Sequence, residues 1–145
     1  MINEDLILTG SLKIEMNGKL IREVPNIVTT AGKGFVASSM VKTSNSPAAM
    51  THMEVGTGTT NPAAGDTALE SAVSGSRTAL TSSNVTGAAI AYLCTFGAGT
   101  GTGALTEAGI FNASSGGTML CRTEFSVINK GASDSMTVTW TVTVS

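Results

Sequence analysis

Residues 136–144 alternate without a break: Met136, Val138, Trp140, Val142 and Val144 fall on one parity, and Thr137, Thr139, Thr141 and Thr143 on the other. In an extended strand successive side chains point to opposite faces, so this segment has one apolar face and one β-branched polar face. That pattern is a half-buried antiparallel strand. Its apolar side, which carries the only tryptophan, belongs at the centre of a core. Other strands must pair with it and a second layer must cover it.

The rest of the chain repeats the pattern less strictly. Residues 6–16 and 19–29 read as two strands joined at Asn17-Gly18, a dipeptide that tolerates the positive φ of a tight hairpin. Pro25 has no donor, which points to an edge or a bulge in the second strand. Residues 30–41 read as a helix capped by Thr29 or Thr30, with Phe35, Val36, Ser39 and Met40 on one face. Gly32 and Gly34 weaken it, so packing on a sheet must hold it. Residues 42–49 read as a loop. Further strands are expected at 51–57, 77–85, 88–96, 105–112 and 119–128, with one short helical turn at Asp66–Glu70. Residues 97–103, four of them glycine, read as a flexible tip.

At 145 residues the chain is one domain, 1–145, with an N-terminal hairpin or arm (1–29) and a sandwich core (30–145). The expected fold is mainly β: an antiparallel β-sandwich or small barrel, jelly-roll-like, of about eight strands with one or two short helices.

Charged residues make up 12% of the chain, against roughly 25% in an average soluble domain. Threonine, serine and glycine, at 22, 16 and 17 residues, supply the polarity instead. A net charge of −2 leaves no basic footprint for nucleic acid, and six aromatic residues are too few for a stacking platform for bases or sugars. No apolar run approaches the ~18 residues of a membrane span. Acidic residues near the start argue against a secretory signal and for synthesis in a cytoplasm. An exterior so poor in charge is expected to be covered by partners.

Little in the sequence carries chemistry. His52 stands alone and fits a surface or satisfied core position better than a ligand set. Cys94 and Cys121 lie in apolar strand-like segments and read as buried reduced thiols, neighbours if their strands pair. The glycine-rich stretches 56–60 and 99–103 lack the lysine and the following helix of a phosphate loop. Glu107 and Arg77 are read as residues that pair to fix a loop, in a salt bridge, or stay solvated, rather than as functional groups. No catalytic, cofactor-binding or metal-binding residue is assigned, and no cofactor is expected.

Four segments carry a resemblance. They are Asn26-Ile27-Val28-Thr29-Thr30-Ala31-Gly32-Lys33, then Met53-Glu54-Val55-Gly56-Thr57-Gly58-Thr59-Thr60-Asn61-Pro62 with Asp66-Thr67-Ala68-Leu69, then Leu105-Thr106-Glu107-Ala108-Gly109-Ile110-Phe111-Asn112, and finally Gly117-Thr118-Met119-Leu120-Cys121-Arg122. In this order they resemble a module of small structural proteins of tailed bacteriophages, over roughly residues 26–145. The resemblance implies a β-rich, non-enzymatic virion protein, commonly trimeric, that decorates or cements the capsid. Its partners would be the major capsid protein and itself, and its location the capsid surface. The alternative is a tail- or fibre-associated structural or adhesion protein. The hairpin at 6–29 and the loops 57–65 and 97–103 are the expected contact surfaces.

Overall fold

The computed structural model describes residues 5–41 and 46–145. The acidic start at residues 1–4, and residues 42–45 of the expected 42–49 loop, fall outside them. Nine antiparallel strands form one curled sheet, a half-barrel, in the order β4-β3-β7-β8-β2-β1-β9-β6-β5. The strands are β1 (Leu8–Met16), β2 (Lys19–Val28), β3 (His52–Gly56), β4 (Thr78–Ala79), β5 (Ser82–Thr86), β6 (Ala89–Phe96), β7 (Gly103–Phe111), β8 (Met119–Lys130) and β9 (Met136–Val144). One helix, α1 (Thr30–Ser39), follows β2. None of the described helices is long and apolar enough to cross a membrane.

The alternating C-terminal strand does what its pattern demands. β9 lies between β1 and β6, and its register sets Leu12 and Tyr92 beside Trp140, Ile14 and Cys94 beside Val138, and Met16 and Phe96 beside Met136. These three cross-strand rows make one wall of the core, because directly opposed residues share a face. Trp140 is fully buried, and its Nε1 donates to Asn26 Oδ1 at 2.7 Å. Met53, Val55, Leu105, Ile110, Leu120 and Cys121 complete the same core cluster from the β3–β7–β8 half.

β2 joins the two halves. It pairs with β1 as far as Asn26, but with β8 only at Ile27 and Val28. Pro25 falls before that second ladder begins, and its carbonyl on the β8 side accepts from Thr123 Oγ1 at 2.8 Å. A missing donor there breaks no ladder bond, so proline is tolerated inside a strand that is not at the sheet edge. The Arg22 guanidinium spans the splay between β2 and β8, donating to the carbonyls of Ser126 and Val127 at 3.3 Å. The tight turn occurs at Asn17 (φ 50) and Gly18 (φ 83), as the dipeptide requires.

Two local expectations change. Residues 77–85 are not one strand: the chain turns at Leu80 and Thr81, whose amides donate to Thr51 and Leu93 and divide β4 from β5. No helical turn forms at Asp66–Glu70. Asp66 Oδ2 instead accepts from the Ala63 amide at 2.8 Å, closing a turn that precedes it.

α1 is held as its glycines require. Thr29 caps it, accepting from the Gly32 amide at 2.9 Å while its hydroxyl donates to Met119 O at 2.7 Å. Gly32 rests against β8, where a Cβ would come within 2.3 Å of Leu120 O. Phe35 and Val36 are half-buried, but Met40 is 82% exposed, so the packed face is narrower than the periodicity predicts. Gly34 faces open space. Gly34→Ala should therefore raise stability by up to ~1 kcal/mol through helix propensity. Gly32→Ala should lower it despite the same propensity gain, because the added methyl meets backbone. Urea unfolding of the two variants should give midpoint shifts of opposite sign.

Candidate functional site

β7 departs from alternation: every residue from Leu105 to Phe111 is buried. Its inner face belongs to the core, and its outer face is roofed by the segment 57–72. Under that roof Leu69, Phe111 and Met119 form a second small apolar cluster. Gly109 leaves room for it, since a Cβ there would lie 3.0 Å from both Leu69 Cδ2 and Met119 Sδ.

Beside this cluster lies the most concentrated polar site among the described residues. The Glu107 carboxylate is fully buried. Its Oε1 accepts from the amides of Gly58 at 3.0 Å and Ser71 at 2.7 Å, and its Oε2 from the Glu70 amide at 3.0 Å. Arg122, one strand away on β8, donates to Oε2 from Nε at 3.1 Å and from Nη2 at 2.8 Å. The guanidinium then reaches outward, from Nη1 to Asp66 Oδ2 at 2.9 Å and from Nη2 to Thr60 O at 3.1 Å. Burial acts to lower the Arg122 pKa, but the hydrogen bonds and charge of Glu107, then those of Asp66, outweigh it and hold it above the ordinary value. Nearby, Thr60 keeps the exposed Glu70 carboxyl below its usual range.

This arrangement is a clamp. One carboxylate gathers three backbone donors from two parts of a loop, and one guanidinium ties the loop's remaining part to the sheet. Each polar atom of the pair faces a partner inside the protein, so the site's chemistry is that of a loop lock, with both charges already satisfied. The expected contact loop 57–65 is therefore built in advance.

Glu107 and Arg77 both fix loops, with separate partners. Arg77 stacks over the Phe111 ring at 3.6 Å, pairs with Glu54 (Nε to Oε2, 3.2 Å) and donates to the carbonyls of Ala113 and Gly116. It thereby holds the turn between β7 and β8 against β3. Arg122 enters the sequence only as the end of the segment Met119-Leu120-Cys121-Arg122, with no role attached. Its signal was a lone cation inside an apolar strand of a charge-poor chain, on the next strand to an equally isolated Glu107.

The other residues named from the sequence are placed as follows. Residues 97–103 are tied down: buried Lys130 donates from Nζ to Gly97 O at 2.9 Å, and the Gly99 amide to Ala132 O at 2.8 Å. Burial keeps the Lys130 pKa below its usual value, with Asp134 opposing. Cys94 and Cys121 lie on β6 and β8, which do not pair, and both thiols are free and buried. Burial pushes each up to about 12, which leaves no reactive thiolate near neutral pH. His52 Nδ1 lies 2.8 Å from Thr51 Oγ1. Among the described residues, no three His, Cys, Asp or Glu side chains are grouped to hold a metal ion.

An apolar groove of about 390 Å³ lies between the approach to β1 (Leu6, Ile7, Leu8) and α1 (Lys33, Val36, Ala37, Met40). A smaller recess lies where β2 leaves β8, between Pro25, Asn26, Asn61 and Thr123. Comparison of the chain with protein families, with curated proteins and with solved structures finds no match.

Proposed function

We propose that this chain is a non-enzymatic structural protein of a tailed-bacteriophage virion, one that binds and stabilises the outside of the capsid as a decoration or cement protein. Its partners in this reading are the major capsid protein and further copies of itself, as a homotrimer. The observation that carries the reading is the exterior. In a chain with only 12% charged residues, seven large apolar side chains among the described residues are at least half exposed: Leu6, Ile7, Leu20, Met40, Val41, Val85 and Val127. A surface of that composition is one to be covered. The order of the four segments described above supplies the choice of virion over other assemblies.

Adhesion is the mechanism. The clamped loop and the rigid sheet keep the contact surfaces preformed, so little ordering entropy opposes binding. Many modest contacts, each repeated around a lattice, add through multivalency. Purified protein added to particles that lack it should raise their disruption temperature. No change at saturating occupancy would reject the cement role, and antibody label confined to the tail would move the protein to the alternative fibre or tail position.

A further inference from the structure

The exposed apolar side chains are not spread evenly. Leu6 (73% exposed), Ile7 (52%) and Met40 (82%) line the groove between the approach to β1 and α1, and Val41 (55%) follows at its end. Leu8 forms its floor; its parity in β1 is that of Leu12 and Ile14, so the groove is the edge of the core's own inner face left uncovered beside the helix. Its volume of about 390 Å³ is at the small end of the roughly 300–1,000 Å³ of ligand clefts. Its walls, however, are mostly in water, so a small molecule lodged there would stay largely solvated. An occupant that also covers the rim must be part of something larger.

Size separates the two protein occupants. A stable contact with a second copy needs about 800 Å² from each partner, far more than walls of three and four residues provide. A short segment needs only its few anchoring side chains buried. Charge narrows the choice further. Lys33 is the only charged residue lining the groove, and no acidic side chain among the described residues forms an ion pair with it. An apolar segment with a carboxylate beside it would match both features.

We infer that this groove is the anchoring site for a short apolar segment, flanked by an acidic residue, that projects from the major capsid protein. The inference rests on the capsid-binding reading above. The test is occupancy on particles lacking the protein, measured by co-sedimentation for the wild type, a Leu6→Asp/Met40→Asp pair, Lys33→Glu, Lys33→Met, and Ser115→Asp as an exposed control in the turn between β7 and β8. All the substituted side chains are exposed, and unchanged thermal unfolding verifies each fold. The expected result is a loss of at least about tenfold in apparent affinity for the pair, with Ser115→Asp within about twofold of wild type. Lys33→Glu should lose more than Lys33→Met, by a margin that shrinks as salt rises. If the wild type binds and the pair binds equally well, the groove assignment falls while the capsid reading stands. If Lys33→Glu matches Lys33→Met, the acidic flank is wrong. If the wild type does not bind, both fall. Sedimentation of the free chain completes the test: an oligomer that the same pair of substitutions dissolves would place a second copy in the groove and overturn the assignment.

Discussion

Glu107→Ala should be among the most damaging single substitutions in this protein, lowering stability by roughly 3–5 kcal/mol, the range for breaking a buried ion pair by removing one partner. For a chain of this size that is a fall of about 10 °C or more in the melting midpoint. The reason lies in what the carboxylate holds. Its removal orphans the amides of Gly58, Glu70 and Ser71 and leaves the buried Arg122 with only Asp66 and Thr60 as partners. Arg122→Leu should cost less, since Glu107 then keeps three backbone donors. The double variant should fall short of the sum of the two, because the charge that each single change strands is gone. Thermal unfolding followed by Trp140 fluorescence measures all three. A Glu107→Ala midpoint within about 2 °C of wild type would mean that the loop 57–72 is held by something other than this clamp.

Trp140→Ala should cost about 3–5 kcal/mol, from the lost burial and the cavity left in the middle strand of the three-row wall. Trp140→Phe separates packing from polarity. It keeps an aromatic ring between Leu12 and Tyr92 but deprives Asn26 Oδ1 of its donor, which should cost about 1–3 kcal/mol. Asn26→Ala should then be less harmful in the Trp140→Phe background than in the wild type, a coupling visible in a double-mutant cycle by urea unfolding with circular dichroism. Additive effects would show that the 2.7 Å contact between Trp140 Nε1 and Asn26 Oδ1 contributes nothing measurable.

The two changes act on opposite sides of the same sheet, and the contrast bears on the proposed function. Trp140 serves the inner core that any β-rich domain of this size requires. The Glu107–Arg122 clamp serves the loop that roofs the outer face of β7. A fully buried ion pair gives little net stability relative to well-packed apolar residues, so its use here is to fix one loop conformation. Under the proposed adhesive function, such a loop would present a fixed surface.

Sequence alone determined whatever depends on neighbours along the chain. β9 was legible because the pleat converts a period of two directly into two faces. The β1–β2 hairpin was legible because Asn17 and Gly18 can adopt positive φ, and the start of α1 because Thr29 can cap it. The mainly-β architecture followed from these. The tertiary structure decided which faces were covered and by what. β7 lost its alternation because the segment 57–72 lies over its outer face. Residues 77–85 became two strands because Leu80 and Thr81 bond to different neighbours. Met40, on the expected buried face of α1, emerged into water because it falls at the C-cap, beyond the turns that carry Gly32, Phe35 and Val36 against the core. The same holds for the clamp: Glu107 and its loop donors are 36 to 49 residues apart, and no local periodicity encodes that encounter. Backbone conformation answers to short-range sterics, whereas burial and charge pairing answer to distances that exist only once the chain has closed on itself.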